Sequence, residues 1–224
     1  MGNRKEPFVT GEYYHIYNRG VDKRDLFNDL HDLDRFRESI KQFNQVDVVG
    51  SLDRQRQEKS SRALTPTNEK SEPLVAIIAF CINPNHFHFL LKQLVDGGIA
   101  KFMQKTTGGY TSYFNKKANR SGALLQGTFK SKLVDNDNYF RKIFAYVNQN
   151  YLVHDIPKSK QSFVFASDME YENEVFDFVS KEEGEKILEM FASKNDLRKH
   201  CSEIVSIIRK ERGKVSLEDP DELP

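Results

Sequence analysis

The chain has 224 residues, 38% hydrophobic, 30% charged and 12% aromatic, enough for one sizeable core plus an appendage and short for two full domains. Its longest uninterrupted apolar run, Leu74 to Ile82, is under half a membrane span; the charged N-terminus has no apolar signal segment; and Cys81 and Cys201 form neither a disulfide framework nor a CxxC site. Charge nearly cancels, 34 basic against 33 acidic residues, but it is segregated: residues 101–160 carry a net +8 and residues 161–190 a net −7. A cytoplasmic protein without membrane contact is expected.

In chain order, Glu12 to Asn18 is aromatic and β-branched and closes on Arg19-Gly20, which predicts a strand and a turn. Leu30, Leu33, Phe36, Ile40 and Phe43 recur at helical spacing and predict an amphipathic helix over 29–43. Residues 50–73 are polar and read as an insertion or long surface loop. Leu74 to Ile82 suits a buried strand, Asn83-Pro84-Asn85 a tight turn, and His86 to Gln93 a second strand, so a hairpin is expected.

Gly98 to Lys117 predicts a helix, in which Gly108-Gly109 marks a kink or a close contact. Gly127 to Val134 alternates as a strand, and Asn136 to Leu152 reads as one continuous helix with a stripe of Phe140, Ile143, Phe144, Val147 and Tyr151. Phe163 to Phe165 is a short extension. Two amphipathic helices are expected over 181–193 and 196–212, followed by a frayed acidic end from Leu217. The order of elements predicts an α+β fold on an antiparallel sheet.

Two constellations carry chemistry. On a strand, His86 and His88 point to the same face, so both imidazoles can converge on one borderline divalent cation while Phe87 and Phe89 pack behind them. The plain alternative is one exposed and one hydrogen-bonded histidine. On the last predicted core helix, Tyr146 and Asn150 stand at i and i+4 as stacked neighbours, placing a phenol beside an oxygen-donating amide, as a metal-assisted tyrosine nucleophile needs. Ordinary packing is the plain alternative there. Tyr110, Tyr113 and Tyr139 lack such an amide four residues on; Phe114, Lys117 and Ile143 stand there instead. His15 and His154 are possible extra ligands, with structural or surface roles preferred for both.

The basic block is interleaved with Phe102, Tyr110, Tyr113, Phe114, Phe129 and Tyr139, which suits a polyanion with stackable bases. The candidate phosphate contacts are Arg19, Lys105, Lys116, Lys117, Arg120, Lys130, Lys132 and Lys142. A solvated face balanced by the acidic block is the alternative.

Five segments occur in a set order: Tyr14-His15-Ile16-Tyr17-Asn18-Arg19-Gly20, Asn83 to Leu91 (NPNHFHFLL), Tyr113-Phe114-Asn115, Gln126 to Ser131 (QGTFKS) and Tyr146-Val147-Asn148-Gln149-Asn150. In this the chain resembles the single-tyrosine HUH transposases of insertion sequences, most closely their REP-associated branch, over residues 9–155. The resemblance implies a ferredoxin-like antiparallel sheet with packed helices in residues 1–155 and a mostly helical C-terminal extension in 156–224. It places the nucleophile on Tyr146 and the ligands of a divalent metal, Mg²⁺ or Mn²⁺, on His86, His88 and Asn150. It implies cleavage and rejoining of single-stranded DNA through a 5′-phosphotyrosine, with a hairpin or palindromic repeat as partner and a monomer or homodimer as the assembly. Where that branch often has Asn-Pro, this chain has Asn150-Tyr151, so the helix is expected to run further. A hydrolase using the histidines with a carboxylate is disfavoured, since none lies between Glu72 and Asp96. A domesticated or non-catalytic protein that binds single-stranded hairpins stays open.

Overall fold

A computed structural model describes residues 7–47, 72–154 and 156–212. Nearly all of the polar stretch at 50–73 and the acidic end from Leu217 lie outside the described residues. Five strands form one sheet: β1 (Tyr13–Arg19), β2 (Val75–Asn83), β3 (His86–Gln93), β4 (Lys130–Val134) and β5 (Phe165–Ala166), in the order β4-β1-β3-β2-β5. Every neighbouring pair is antiparallel. The helices are α1 (Leu30–Phe43), α2 (Gly98–Lys117), α3 (Asp137–Asn148), the single turn α4 (Asn150–Val153), α5 (Asp168–Asn173), α6 (Lys181–Glu189) and α7 (Lys194–Arg212). The succession β1-α1-β2-β3-α2-β4, with strand order 4-1-3-2, is the ferredoxin-like arrangement expected from the sequence. Among the described residues, no helix is long and apolar enough to cross a membrane.

The hairpin forms because Pro84-Asn85 turns the chain between Asn83 and His86, which pair directly. The period of two then sends alternate β3 side chains to opposite faces. Phe87 and Phe89 meet Phe36 of α1 and Phe102 of α2, so both helices lie on that face. The α1–α2 layer is tied by polar bonds as well: Asp32, fully buried, accepts from the Tyr113 hydroxyl at 2.9 Å and the Lys117 ammonium at 2.6 Å. The Gly108-Gly109 pair does not break α2. Its second glycine is a close-contact site, since a Cβ there would stand 3.3 Å from the Phe43 ring.

The opposite face carries His86 and His88, and there α3 packs, with Tyr146 edge-on to His88. Helix α3 starts where the Asn136 side chain accepts the Tyr139 amide, a cap worth about 1 kcal/mol. The strand expected over 127–134 begins only at Lys130, because Gly127 adopts a left-handed backbone (φ 67°) in the preceding turn.

The single helix expected over 136–152 is not formed. It breaks at Gln149 (φ −127°, ψ 30°), and α4 restarts at Asn150. Asparagine is a poor helix former, and both asparagines here find buried partners instead: Asn148 accepts from Ser167, and Asn150 accepts from Asn83.

The chain beyond residue 156 joins the same sheet. Strand β5 pairs with β2, Ser167 bonds both the amide and the carbonyl of Phe80, and Ser180 bonds those of Ile77. Helix α7 buries Leu197, Cys201, Val205 and Ile208 and packs against α3 and α4. The acidic residues of this region pair with Lys41, Lys92, Lys186, Lys194 and Arg198, so they are tied to cations outside the 101–160 block.

Candidate metal and tyrosine site

Direct pairing across β1, β3, β2 and β4 puts Tyr17, His88, Cys81 and Lys130 in one row on one face of the sheet, with His15 and Lys132 paired in the next row. His86 and His88 therefore project together, as their i, i+2 spacing requires, with ring centroids 5.3 Å apart. Tyr146 descends from α3 onto this face, 5.3 Å from His88 and 5.9 Å from His15, edge-on to both. Its side chain is fully buried.

The ring nitrogens can be assigned from their neighbours. Asn85 donates through Nδ2 to the Lys23 carbonyl, which fixes its amide so that Oδ1 faces His86 Nδ1 at 2.6 Å. An oxygen there can only accept, so His86 Nδ1 carries the proton and Nε2 keeps its lone pair. That lone pair lies 2.9 Å from Asn83 Nδ2 and 3.1 Å from Asn150 Oδ1, and Asn83 Nδ2 also donates to Asn150 Oδ1 at 2.8 Å. One buried amide thus gathers two metal-competent lone pairs.

His88 Nδ1 lies 2.9 Å from His15 Nε2. Burial pushes the His15 imidazole down to about 3, with the Lys132 ammonium adding to the effect. Burial likewise holds His88 well below the usual imidazole range, reinforced by His15, His86, His154 and Arg19. Neutral rings are the ligand form, so the donor chemistry fits a borderline divalent cation.

His154, a possible extra ligand in the sequence, also reaches this face. It follows α4, its ring centroid is 4.4 Å from that of His86 and 6.4 Å from that of His88, and burial lowers its basicity too. One nitrogen from each of His86, His88 and His154 falls within a 4.8 Å group, so three imidazoles are close enough to share an ion. Of the roles left open for His154, this placement favours that of an extra ligand over that of a surface residue. Its position four residues after Asn150 was the available signal. Asn83 and Asn85, which flank the turn, and His15, one inward position before Tyr17, were missed for their supporting roles.

Tyr146 and Asn150 do reach the same site, but not as stacked neighbours on one helix. The break at Gln149 separates them, and Asn150 comes in through α4.

The basic candidates divide between the two faces. Lys130 and Lys132 are exposed on β4 in the rows of Tyr17 and His15, Arg19 is buried at the end of β1 beside His86, and Lys142 stands on α3 one turn before Tyr146. Lys105, Lys116 and Lys117 lie on α2 and Arg120 just after it, and α2 packs on the other side of the sheet from the histidines. Lys117 is bound to Asp29 and Asp32, and Arg120 to Asn115 and the Ala123 carbonyl. The +8 block is therefore no single surface.

The ferredoxin-like sheet thus carries two histidines on one central strand and a tyrosine helix against them. Residues 52–150 match the family described as "Transposase IS200 like". Over that stretch, less than half of the chain, it is similar to the IS200-like transposases, in agreement with the resemblance in its motifs. Its sequence matches no curated protein. Among solved structures, it is similar to a REP-associated tyrosine transposase bound to a REP hairpin (13% identity, TM-score 0.48, covering 80% of this chain and 91% of that one). It is also similar to tRNA(His) guanylyltransferase from Saccharomyces cerevisiae (14% identity, TM-score 0.31, 91% and 82%).

Proposed function

We propose that this transposase relative cleaves and rejoins single-stranded DNA through Tyr146. The observation that carries the reading is the placement of the Tyr146 ring edge-on to His88, on the sheet face where His86, His88 and Asn150 converge. In the first step the Tyr146 oxygen attacks a backbone phosphorus. A phosphotyrosine bond forms to the 5′ phosphate of the downstream fragment, the bond from phosphorus to the departing 3′ oxygen of the upstream fragment is severed, and that oxygen takes up a proton as the phenol gives one up. Attack by a second 3′-hydroxyl reverses the exchange and joins strands, with no nucleotide hydrolysed because the phosphodiester energy is kept in the protein link.

His86 and His88 would hold the divalent cation, Mg²⁺ or Mn²⁺, with Asn150 beside them. When bound, it would supply positive charge at the non-bridging phosphate oxygens. His15 and Asn85 hold the two rings in the tautomers that turn Nε2 inward. Lys130 and Lys132 border the same face and would bind the DNA backbone.

Incubation with a labelled single-stranded hairpin, followed by a denaturing gel, tests this. The wild-type chain forms a covalent adduct, and Tyr146→Phe forms none while keeping its affinity within a few fold. Adduct formation by the Phe variant would refute the assignment. The complete burial of Tyr146 favours a second reading, a hairpin-binding protein that does not cut. Retained binding with no adduct from the wild type, even with Mn²⁺ supplied, would establish that reading.

A further inference from the structure

We propose that His154 is a ligand of the metal site, so that the centre is a three-imidazole one built from His86, His88 and His154 and selects manganese over magnesium. The inference rests on the metal-dependent reading above and names the third donor of that same site.

Three observations carry it. The donor nitrogens of the three histidines already lie within 4.8 Å of one another, and the His86 and His154 rings, at 4.4 Å, are closer than the His86 and His88 rings, at 5.3 Å. The break at Gln149 restarts the helix as α4, so that Asn150 and His154, four residues apart, both turn toward His86. Asn150 has another engagement, because its Oδ1 accepts the Asn83 amide at 2.8 Å, and that amide also lies 2.9 Å from His86 Nε2, so Asn150 acts on His86 through Asn83 as a positioning residue.

Arg212 Nη1 lies 3.4 and 3.3 Å from the two ring nitrogens of His154, long contacts that a bound cation would replace at one of them. Imidazole is a far better ligand than a neutral amide oxygen for first-row transition ions, while Mg²⁺ prefers oxygen donors and water. Three imidazoles therefore disfavour Mg²⁺ more than a two-histidine, one-amide set would.

Calorimetric titration of the chelator-stripped full chain with Mn²⁺ and then Mg²⁺ tests the assignment. Wild type should bind Mn²⁺ at least about tenfold more tightly than Mg²⁺. His154→Ala and His154→Gln should each weaken Mn²⁺ binding by about tenfold or more, and Asn150→Ala by less than about threefold. The glutamine variant keeps a polar side chain of similar reach, and melting of the metal-free proteins shows which variants are folded. Wild-type affinity in a folded His154 variant, or a larger loss in Asn150→Ala than in His154→Gln, would overturn the inference. The His86→Ala and His88→Ala proteins separate the two levels. If they lose Mn²⁺ binding while the His154 variants keep it, only the third ligand is wrong. If they bind as wild type does, the metal-dependent reading falls as well.

Discussion

His15 on β1 and His88 on β3 meet through their ring nitrogens, Nε2 to Nδ1, at 2.9 Å across the strand pair. Both rings are buried, so His88 can turn Nε2 toward a cation only if its Nδ1–H donates to His15. His15 is the partner placed to select that tautomer.

Replacing His15 with leucine should therefore raise the Mn²⁺ concentration needed for half-saturation by about tenfold, whereas His15→Gln, which offers an acceptor oxygen, should stay within about threefold of wild type. Equal losses in the two variants would mean that the ring serves only to fill space.

DNA binding should depend on β4 more than on α2. If Lys130 and Lys132 each neutralise one phosphate, the double alanine variant should flatten the log affinity against log salt slope by about 1.4 units, at roughly 0.7 per contact on single strands. Replacing Lys116 and Lys117 should change it by less than about half a unit, because α2 lies on the other face and Lys117 already neutralises Asp29 and Asp32. Anisotropy of a labelled hairpin across a salt series measures both. The reverse ranking would move the DNA path to the α1–α2 face.

Glu183 on α6 sets an acid limit to stability. Burial raises its carboxyl, but hydrogen bonds from Lys186, Lys92 and Tyr13 outweigh this and hold it below the ordinary 4.5. A depressed folded value means stability that is complete above the unfolded value and lost as pH falls through the folded one. Glu183→Gln should cost about 1–3 kcal/mol near neutrality, and the gap in melting temperature from wild type should close below pH 4.5. A gap that persists in acid would assign the loss to packing.

A chain ending at Ile156 should fail to fold cooperatively. It loses β5, the Ser167 and Ser180 bonds to β2, and the buried faces of α6 and α7. A sharp melting transition in the truncated chain would show that the first part stands alone.

Much of this was legible in the sequence because it rests on short-range periodicity. The β2–β3 hairpin follows from an apolar run, a Pro-Asn turn and HFHF alternation, and α1 from its Leu33, Phe36, Ile40 stripe. What periodicity does not encode is side-chain competition with the backbone. The helix ends at Gln149 because buried partners for Asn148 and Asn150 lie in Ser167 and Asn83, distant in sequence. For the same reason the sequence left His154 undecided between a ligand and a structural residue, because its approach to His86 depends on that break. Nor does charge counted along the chain distinguish Lys117 from Lys130, which the fold sends to opposite sides of the sheet.

The interruption at Gln149 also ungears the site. In one unbroken helix, any swivel that redirected Tyr146 would drag Asn150 and His154 with it. Here the phenol hangs from α3 while the amide and imidazole hang from α4, with a single non-helical residue between them as a joint. The orientation of the phenol is therefore not tied by helical periodicity to that of the amide and imidazole.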